Sequence, residues 1–77
     1  HLSYAYQAIE LGGSAGCVVN AANEIAVNAF LAKKIQFLDM QKVIEKSMES
    51  ITFVAKPTIE ELLEVDAETR RFASSLI

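Results

Sequence analysis

The chain has 77 residues, of which 52% are apolar and 22% are charged, and it carries a net charge of −3. This length and composition allow one small folded domain, and they exclude the clustered basic charge that binding to nucleic acid or to an anionic membrane requires. With one Cys and one His, an internal disulfide and a Cys/His zinc site are also excluded, and no apolar stretch approaches the length of a membrane span.

The first two predicted helices are separated by a pair of glycines. An apolar stripe at helical spacing predicts a first helix that ends near Leu11, because Gly12 and Gly13 suit a helix C-terminus. Ser14 is placed to cap a second helix, which the apolar spacing extends to about Ala32.

The third predicted helix has a clear apolar face. Residues 35–38 are apolar but few, so we expect an extended connection that crosses the core. Asp39 is the expected N-cap of the helix that follows. Its inward face recurs at i, i+3 and i+4 and consists of Met40, Val43, Ile44, Ser47, Met48 and Ile51.

The last third of the chain contains two helix-start signals. Residues 52–54 are predicted to be a connector, because one three-residue strand would have nothing to pair with. Thr58 and Glu61 form a capping box that predicts a short helix, with an apolar inner face of Ile59, Leu62 and Leu63. Asp66 is the expected start of a further helix that extends to about Leu76.

These elements predict an all-α fold, a small helical bundle of four main helices plus one short helix, in a single domain over residues 1–77. Short connections favour antiparallel neighbours in such a bundle. A chain of this size buries only about 60% of its unfolded surface, so we expect a partner surface to add stability.

The most unusual feature is a polar stripe on the second helix, formed by Asn20, Asn23, Glu24 and Asn28. Asn is unfavourable inside a helix, so three of them require a reason. Their amides would hydrogen-bond the connectors, or the stripe would dock on another domain or edge an active site. Amides do not transfer protons, and no base or second acid is fixed beside Glu24. We therefore assign no catalytic, cofactor-binding or metal-binding residue.

Three further features have an ordinary structural interpretation. The glycine-rich residues 12–16 precede a helix and could hold a phosphate there, but a helix-to-helix turn with normal capping is favoured because no P-loop lysine or strand accompanies them. Cys17 is interpreted as a small, partly buried thiol. The acidic residues between Glu60 and Glu68 are interpreted as helix-start charges.

Residues 16–31, which contain the run Asn-Ala-Ala-Asn-Glu, resemble a helix in the carboxy-terminal domain of the 1-deoxy-D-xylulose 5-phosphate reductoisomerase family. Residues 35–37, 57–61 and 65–70 are similar to the same family in the same order. Together these segments extend the resemblance over nearly the whole chain.

The resemblance implies a bacterial, cytoplasmic, homodimeric enzyme of non-mevalonate isoprenoid biosynthesis. That enzyme converts 1-deoxy-D-xylulose 5-phosphate to 2-C-methyl-D-erythritol 4-phosphate with NADPH and Mn²⁺ or Mg²⁺. Its catalytic and NADPH-binding domains precede a helical bundle that braces them. This chain would be that bundle, without a cofactor of its own and inactive alone, because the metal and phosphate ligands of the family have no counterpart in it.

Two alternatives to the family interpretation stay open at this point. One is a free-standing interaction module that binds a partner protein through the face of Asn20, Asn23 and Asn28. The other is a bundle that binds an anion at residues 12–16.

Overall fold

A computed structural model describes residues 12–77 of the chain. The predicted first helix, which ends near Leu11, lies outside the described residues. The described part contains three α-helices and no strand: α1 (Ala15–Leu31), α2 (Phe37–Ser50) and α3 (Ile59–Ser75).

The predicted all-α class is confirmed, but the prediction of four main helices plus one short helix is wrong, because the described residues form three. The two helices predicted after Thr58 are one continuous helix, α3. The Thr58 capping box is present, with the Glu61 N–H donating to Thr58 Oγ1 over 3.1 Å. Asp66 lies inside this helix and does not start a new one, and its carboxylate accepts a hydrogen bond from Arg70 one turn later. Neither Gly nor Pro interrupts residues 58–76.

Helix α1 has the predicted extent, but Ser14 does not cap it with its side chain. The Ser14 side chain instead accepts a hydrogen bond from the Val54 N–H over 2.8 Å, and the Ser14 N–H donates to the Val54 carbonyl over 2.9 Å. Gly13 has a φ of 53°, and a Cβ built on it would collide with the Val54 carbonyl oxygen. The start of α1 is therefore joined directly to the connector that precedes α3.

Helix α2 begins earlier than predicted, which corrects both the extended connection at residues 35–38 and the Asp39 cap. Gln36 is the N-cap, and its backbone N–H donates to Asp39 Oδ2 over 2.9 Å. This hydrogen bond makes Asp39 the third residue of the helix rather than its cap. Phe37 and Leu38 consequently lie in the first turn of α2, largely exposed, and do not cross the core.

Helix α1 is the centre of the fold and packs against both α2 and α3, which contact each other less. Its buried face is rich in alanine, which lets the neighbouring helices approach closely. On α2 the predicted inward residues Val43, Ile44 and Ser47 are buried, and Ile44 is 1% exposed. Two apolar clusters result, one around Ile44 and Ala73, and one formed by Val18, Ile51 and Val65.

The inward face of α3 differs from the prediction at its start. Ile59 and Leu63, both expected to face inward, are 78% and 66% exposed. In one continuous helix the buried stripe passes through Val65, Thr69 and Ala73, and a four-residue repeat from this stripe does not reach Ile59 or Leu63. The prediction of two separate helices therefore placed Ile59 and Leu63 on the buried face, whereas both lie on the exposed face of α3.

The bundle has two ends with different construction. The Cys17 thiol lies 3.5 Å from the Leu62 carbonyl, so α3 starts beside the start of α1. Further along both helices Glu24 contacts Arg70, so α3 runs in the same direction as α1. We call this side, with residues 12–14 and the connector 51–58, the connector end. The opposite side, where the loop 32–36 joins α1 to α2, is called the loop end.

Candidate functional site

The polar stripe of α1 lies mostly on the surface. Asn20, Glu24 and Asn28 are exposed, and Asn23 is half-buried. Asn28 lines a shallow open groove of about 510 Å³ between α1 and the end of α3. In residues 12–77 the structure gives the three asparagine side chains no hydrogen-bond partner, so a role for their amides toward a surface outside these residues stays a prediction.

Glu24 belongs to an ion-pair network that joins α1 to α3. Arg70 donates to both carboxylate oxygens of Glu24, with distances of 3.2 and 3.3 Å, and its Nε donates to Asp66 Oδ2 over 2.9 Å. The hydrogen bonds to Glu24 first, and then those to Asp66, raise the pKa of the Arg70 guanidinium above its usual range. Glu24 is therefore engaged as a hydrogen-bond acceptor in the interhelical contact.

Arg70 is the residue of this network that the sequence analysis did not identify. The four-residue spacing between Asp66 and Arg70 is a detectable signal, because residues separated by four face each other on a helix. The contact with Glu24 spans 46 residues along the chain. No local pattern predicts a contact of that separation.

The structure supports the interpretation of Cys17 as a partly buried thiol rather than a nucleophile. The thiol donates to the Leu62 carbonyl over 3.5 Å. Burial, and then the negative charge of Asp66, raise the pKa of the Cys17 thiol, while Arg70 lowers it. A reactive cysteine needs a lowered pKa, so the environment of Cys17 has the opposite effect.

The glycine-rich turn is not arranged as an anion site. Ser14 is fully buried, and both its N–H and its hydroxyl are occupied by Val54. The Ala15 N–H donates to the Gly12 carbonyl over 3.2 Å. These bonds use the N–H groups of Ser14 and Ala15, two of those that would have to face a phosphate.

The acidic residues of α3 serve the helix itself. Glu61 completes the Thr58 capping box, and Asp66 pairs with Arg70. Within residues 12–77, no group of three or more His, Cys, Asp or Glu side chains is placed to hold a metal ion.

An apolar pocket of about 200 Å³ lies at the connector end, lined by Ser14, Ala15, Val18, Met48, Ile51 and Phe53. No helix in the described part of the chain has the length and apolar character needed to cross a membrane.

Comparison with known proteins gives one consistent result. Residues 1–72 match the family model for the DXP reductoisomerase C-terminal domain. The 1-deoxy-D-xylulose 5-phosphate reductoisomerase of Bacillus cereus (strain AH187) is 51% identical over 99% of this chain and 20% of its own length. That of Bacteroides thetaiotaomicron is also 51% identical, over all of this chain and 20% of its own length.

A solved structure agrees with these sequence matches. It is the 1-deoxy-D-xylulose 5-phosphate reductoisomerase from Zymomonas mobilis in complex with NADPH, which matches with a TM-score of 0.87 at 46% identity. The match covers 97% of this chain and 20% of that one. The chain thus spans about a fifth of the length of the relatives that it matches.

Proposed function

Because the chain belongs to the family of the DXP reductoisomerase C-terminal domain, we propose that its 77 residues are one structural domain of a reductoisomerase and that this domain braces the catalytic part of that protein. The observation that carries the proposal is the fold match over 97% of the chain to only 20% of a reductoisomerase. The remaining four-fifths of such a protein are the proposed location of the chemistry.

The proposed activity of the whole protein follows from its relatives. It converts 1-deoxy-D-xylulose 5-phosphate to 2-C-methyl-D-erythritol 4-phosphate with NADPH, the cofactor present in the Zymomonas mobilis complex. A Mn²⁺ or Mg²⁺ ion, a homodimeric assembly and a cytoplasmic location in a bacterium complete the proposal. The partners of this chain are then the preceding catalytic and NADPH-binding domains of the same protein.

The residues of the described part do not fit a metal or a nucleotide of their own. A divalent ion of this kind needs several converging oxygen ligands, and residues 12–77 contain no such group. The carboxylates of Glu24 and Asp66 are both bound to Arg70. The helix start at Ser14 is closed by Val54. We therefore derive no catalytic step from these residues.

The polar stripe has two proposed roles within this function. Glu24 braces α1 against α3 through Arg70. Asn20, Asn23 and Asn28 are proposed to face the preceding domains, since residues 12–77 offer their amides no partner. The alternative of a free-standing interaction module has no support from the relatives, which are reductoisomerases.

The proposal is tested by following NADPH consumption with 1-deoxy-D-xylulose 5-phosphate and Mn²⁺. The full-length protein that contains this segment should turn over, and the isolated 77-residue chain at the same concentration should not. Turnover by the isolated chain would show that it contains an active site. A folded full-length protein without activity on this substrate would overturn the assigned reaction.

A further inference from the structure

The loop end exposes four large apolar side chains next to one another, Phe30 and Leu31 from the last turn of α1 and Phe37 and Leu38 from the first turn of α2. Leu31, Phe37 and Leu38 are 71%, 69% and 73% exposed. We call these four residues the loop-end patch. Single exposed apolar residues are ordinary, but an adjacent group with two aromatic rings is typical of a surface that is covered by another protein surface.

The two aromatic rings of the loop-end patch and the backbone beside them are held by contacts within the domain. The rings of Phe30 and Phe37 pack edge to face, with centroids 5.9 Å apart. The hydrogen bond from the Gln36 N–H to Asp39 fixes the start of α2, and the Lys34 N–H closes the end of α1 by donating to the Ala29 carbonyl over 2.9 Å. A preformed patch loses little conformational freedom when it docks, which favours binding.

The patch continues the exposed face of α1. Leu31 follows Asn20, Glu24 and Val27 at spacings of four, three and four residues, so these side chains share one face of the helix. The polar stripe and the apolar patch therefore form a single strip along α1, with an apolar anchor at one end. Such a strip resembles an interface with an apolar centre and a polar edge.

The charges beside the patch indicate what covers it. Lys33 and Lys34 lie in the loop between its two halves, and neither forms an ion pair with residues 12–77. Lys33 has a φ of 61°, a backbone conformation that glycine adopts more easily. A two-fold contact between copies of this chain would bring Lys33 and Lys34 of both copies together, and the repulsion between their like charges opposes such a contact.

We propose that the loop-end patch is the surface through which this domain docks on the preceding part of the same protein, at an apolar pocket with carboxylates at its rim that receive Lys33 and Lys34. The proposal rests on the proposed function, because relatives five times as long as this chain supply the occupant. The patch, with Phe37 and Leu38 at its centre, then stabilises the whole enzyme rather than the isolated domain.

The experiment measures cysteine accessibility in the folded full-length protein. Leu31→Cys, Leu38→Cys and the control Glu68→Cys, an exposed position on α3, are treated separately with a charged, water-soluble maleimide. Peptide mass spectrometry identifies the modified cysteine and follows its modification rate. Each rate is divided by the rate of the same cysteine in denaturant. Leu31→Cys and Leu38→Cys should react at least about tenfold more slowly than Glu68→Cys, because reaction at a covered site requires local opening.

The result depends on three comparisons that separate the possible occupants. Protection that is unchanged on dilution, and that weakens when Lys33 and Lys34 are both replaced by Glu, supports docking within one chain. Protection that disappears on dilution would assign the patch to a second copy and overturn the proposal. Rates equal to that of Glu68→Cys, or protection at a Leu63→Cys variant in place of Leu31→Cys and Leu38→Cys, would overturn it as well.

The labelling result and the proposed function can fail separately. Accessibility is measured without substrate, so a reactive Leu38→Cys in a full-length protein that still turns over NADPH would overturn the docking surface alone. If the full-length protein lacked the assigned reaction, the proposed function would fail, but the labelling result would still show whether the loop-end patch is covered.

Discussion

At the connector end, Ser14 and Val54 are bonded to each other inside the domain, whereas the loop end exposes an adjacent group of apolar side chains and two lysines that form no ion pair with residues 12–77. Ser14 and Val54 exchange two hydrogen bonds, and Gly13 lets their backbones approach. At the loop end, Phe37 and Leu38 are largely exposed. The connector end is held together by bonds within the domain, although Phe53, Ile59 and Leu63 are exposed there, while the loop end combines a pair of packed phenylalanine rings with two neighbouring lysines.

Backbone conformation shows the same contrast between the ends. The residues with positive φ at the connector end, Gly12 and Gly13, are glycines, for which this conformation has no steric cost. At the loop end the corresponding residue is Lys33, for which the left-handed region costs about 1–2 kcal/mol. At the connector end, glycines therefore occupy the positions with positive φ. At the loop end, a lysine occupies such a position, although glycine would be more favourable there.

The largest effect is expected from Gly13→Ala at the connector end. The new Cβ would adopt an unfavourable φ and collide with the Val54 carbonyl, so unfolding in urea should show a loss on the order of 3–5 kcal/mol. Gly12→Ala is the matched control. Its φ is 69° with nothing within 4 Å of the added Cβ, so only the conformational cost of about 1–2 kcal/mol should appear. Equal losses for the two variants would contradict the close approach at Gly13.

Helix α2 allows the core and the loop end to be compared within one element. Ile44→Ala should destabilise the isolated domain by about 3 kcal/mol, because Ile44 is 1% exposed and leaves a cavity. Leu38→Ala, at a 73% exposed position, should change it by less than about 0.5 kcal/mol. Chemical denaturation of both variants measures this difference. A loss of less than about 1 kcal/mol for Ile44→Ala would place that residue outside the core.

A smaller loss is expected from Ser14→Ala. The substitution leaves the Val54 N–H without its partner in a half-buried position, which costs about 1–2 kcal/mol. Ser50→Ala, at an exposed position near the end of α2, serves as the control and should be close to neutral. If Ser14→Ala were also neutral, the paired hydrogen bonds would not contribute to closing the connector end.

At the loop end a substitution should stabilise the domain. Lys33→Gly removes the unfavourable left-handed conformation and, after the greater chain entropy of glycine, should add about 0.5–1 kcal/mol to the free energy of unfolding. Lys34→Gly has no such gain to make and should be neutral or destabilising. Thermal unfolding of the two variants distinguishes them. A destabilised Lys33→Gly would show that the lysine side chain supports the isolated domain.

The sequence predicts those parts of the fold that depend on local pattern. The apolar spacing in α2 identifies Val43, Ile44 and Ser47 as buried, and the Thr58 capping box marks the start of α3. Capping is less certain where one residue can play two parts. Asp39 is the third residue of a helix rather than its cap, because the Asp39 carboxylate accepts a hydrogen bond from the N–H of Gln36, which is the cap.

Long-range contacts account for the features that the sequence could not predict. Ser14 binds Val54 across 40 residues, and Glu24 binds Arg70 across 46 residues, so neither partner appears in a local pattern. The exposure of Phe37 and Leu38 could not be predicted either, because an apolar run has the same sequence pattern whether it is buried in its own domain or against the surface of another.

The proposed structural role of this domain is tested most directly by the kcat, in the proposed reaction, of the full-length protein that contains this chain and carries both Cys17→Ser and Glu24→Gln. These substitutions remove the only thiol of this chain and the carboxylate of its polar stripe. If the domain supplies packing and no chemistry, kcat in the folded double variant should stay within about twofold of the unmodified enzyme, whereas loss of a general acid or base costs about 10²–10⁴-fold. A hundredfold loss of kcat with unchanged thermal stability would contradict the structural role and place a catalytic residue in this chain.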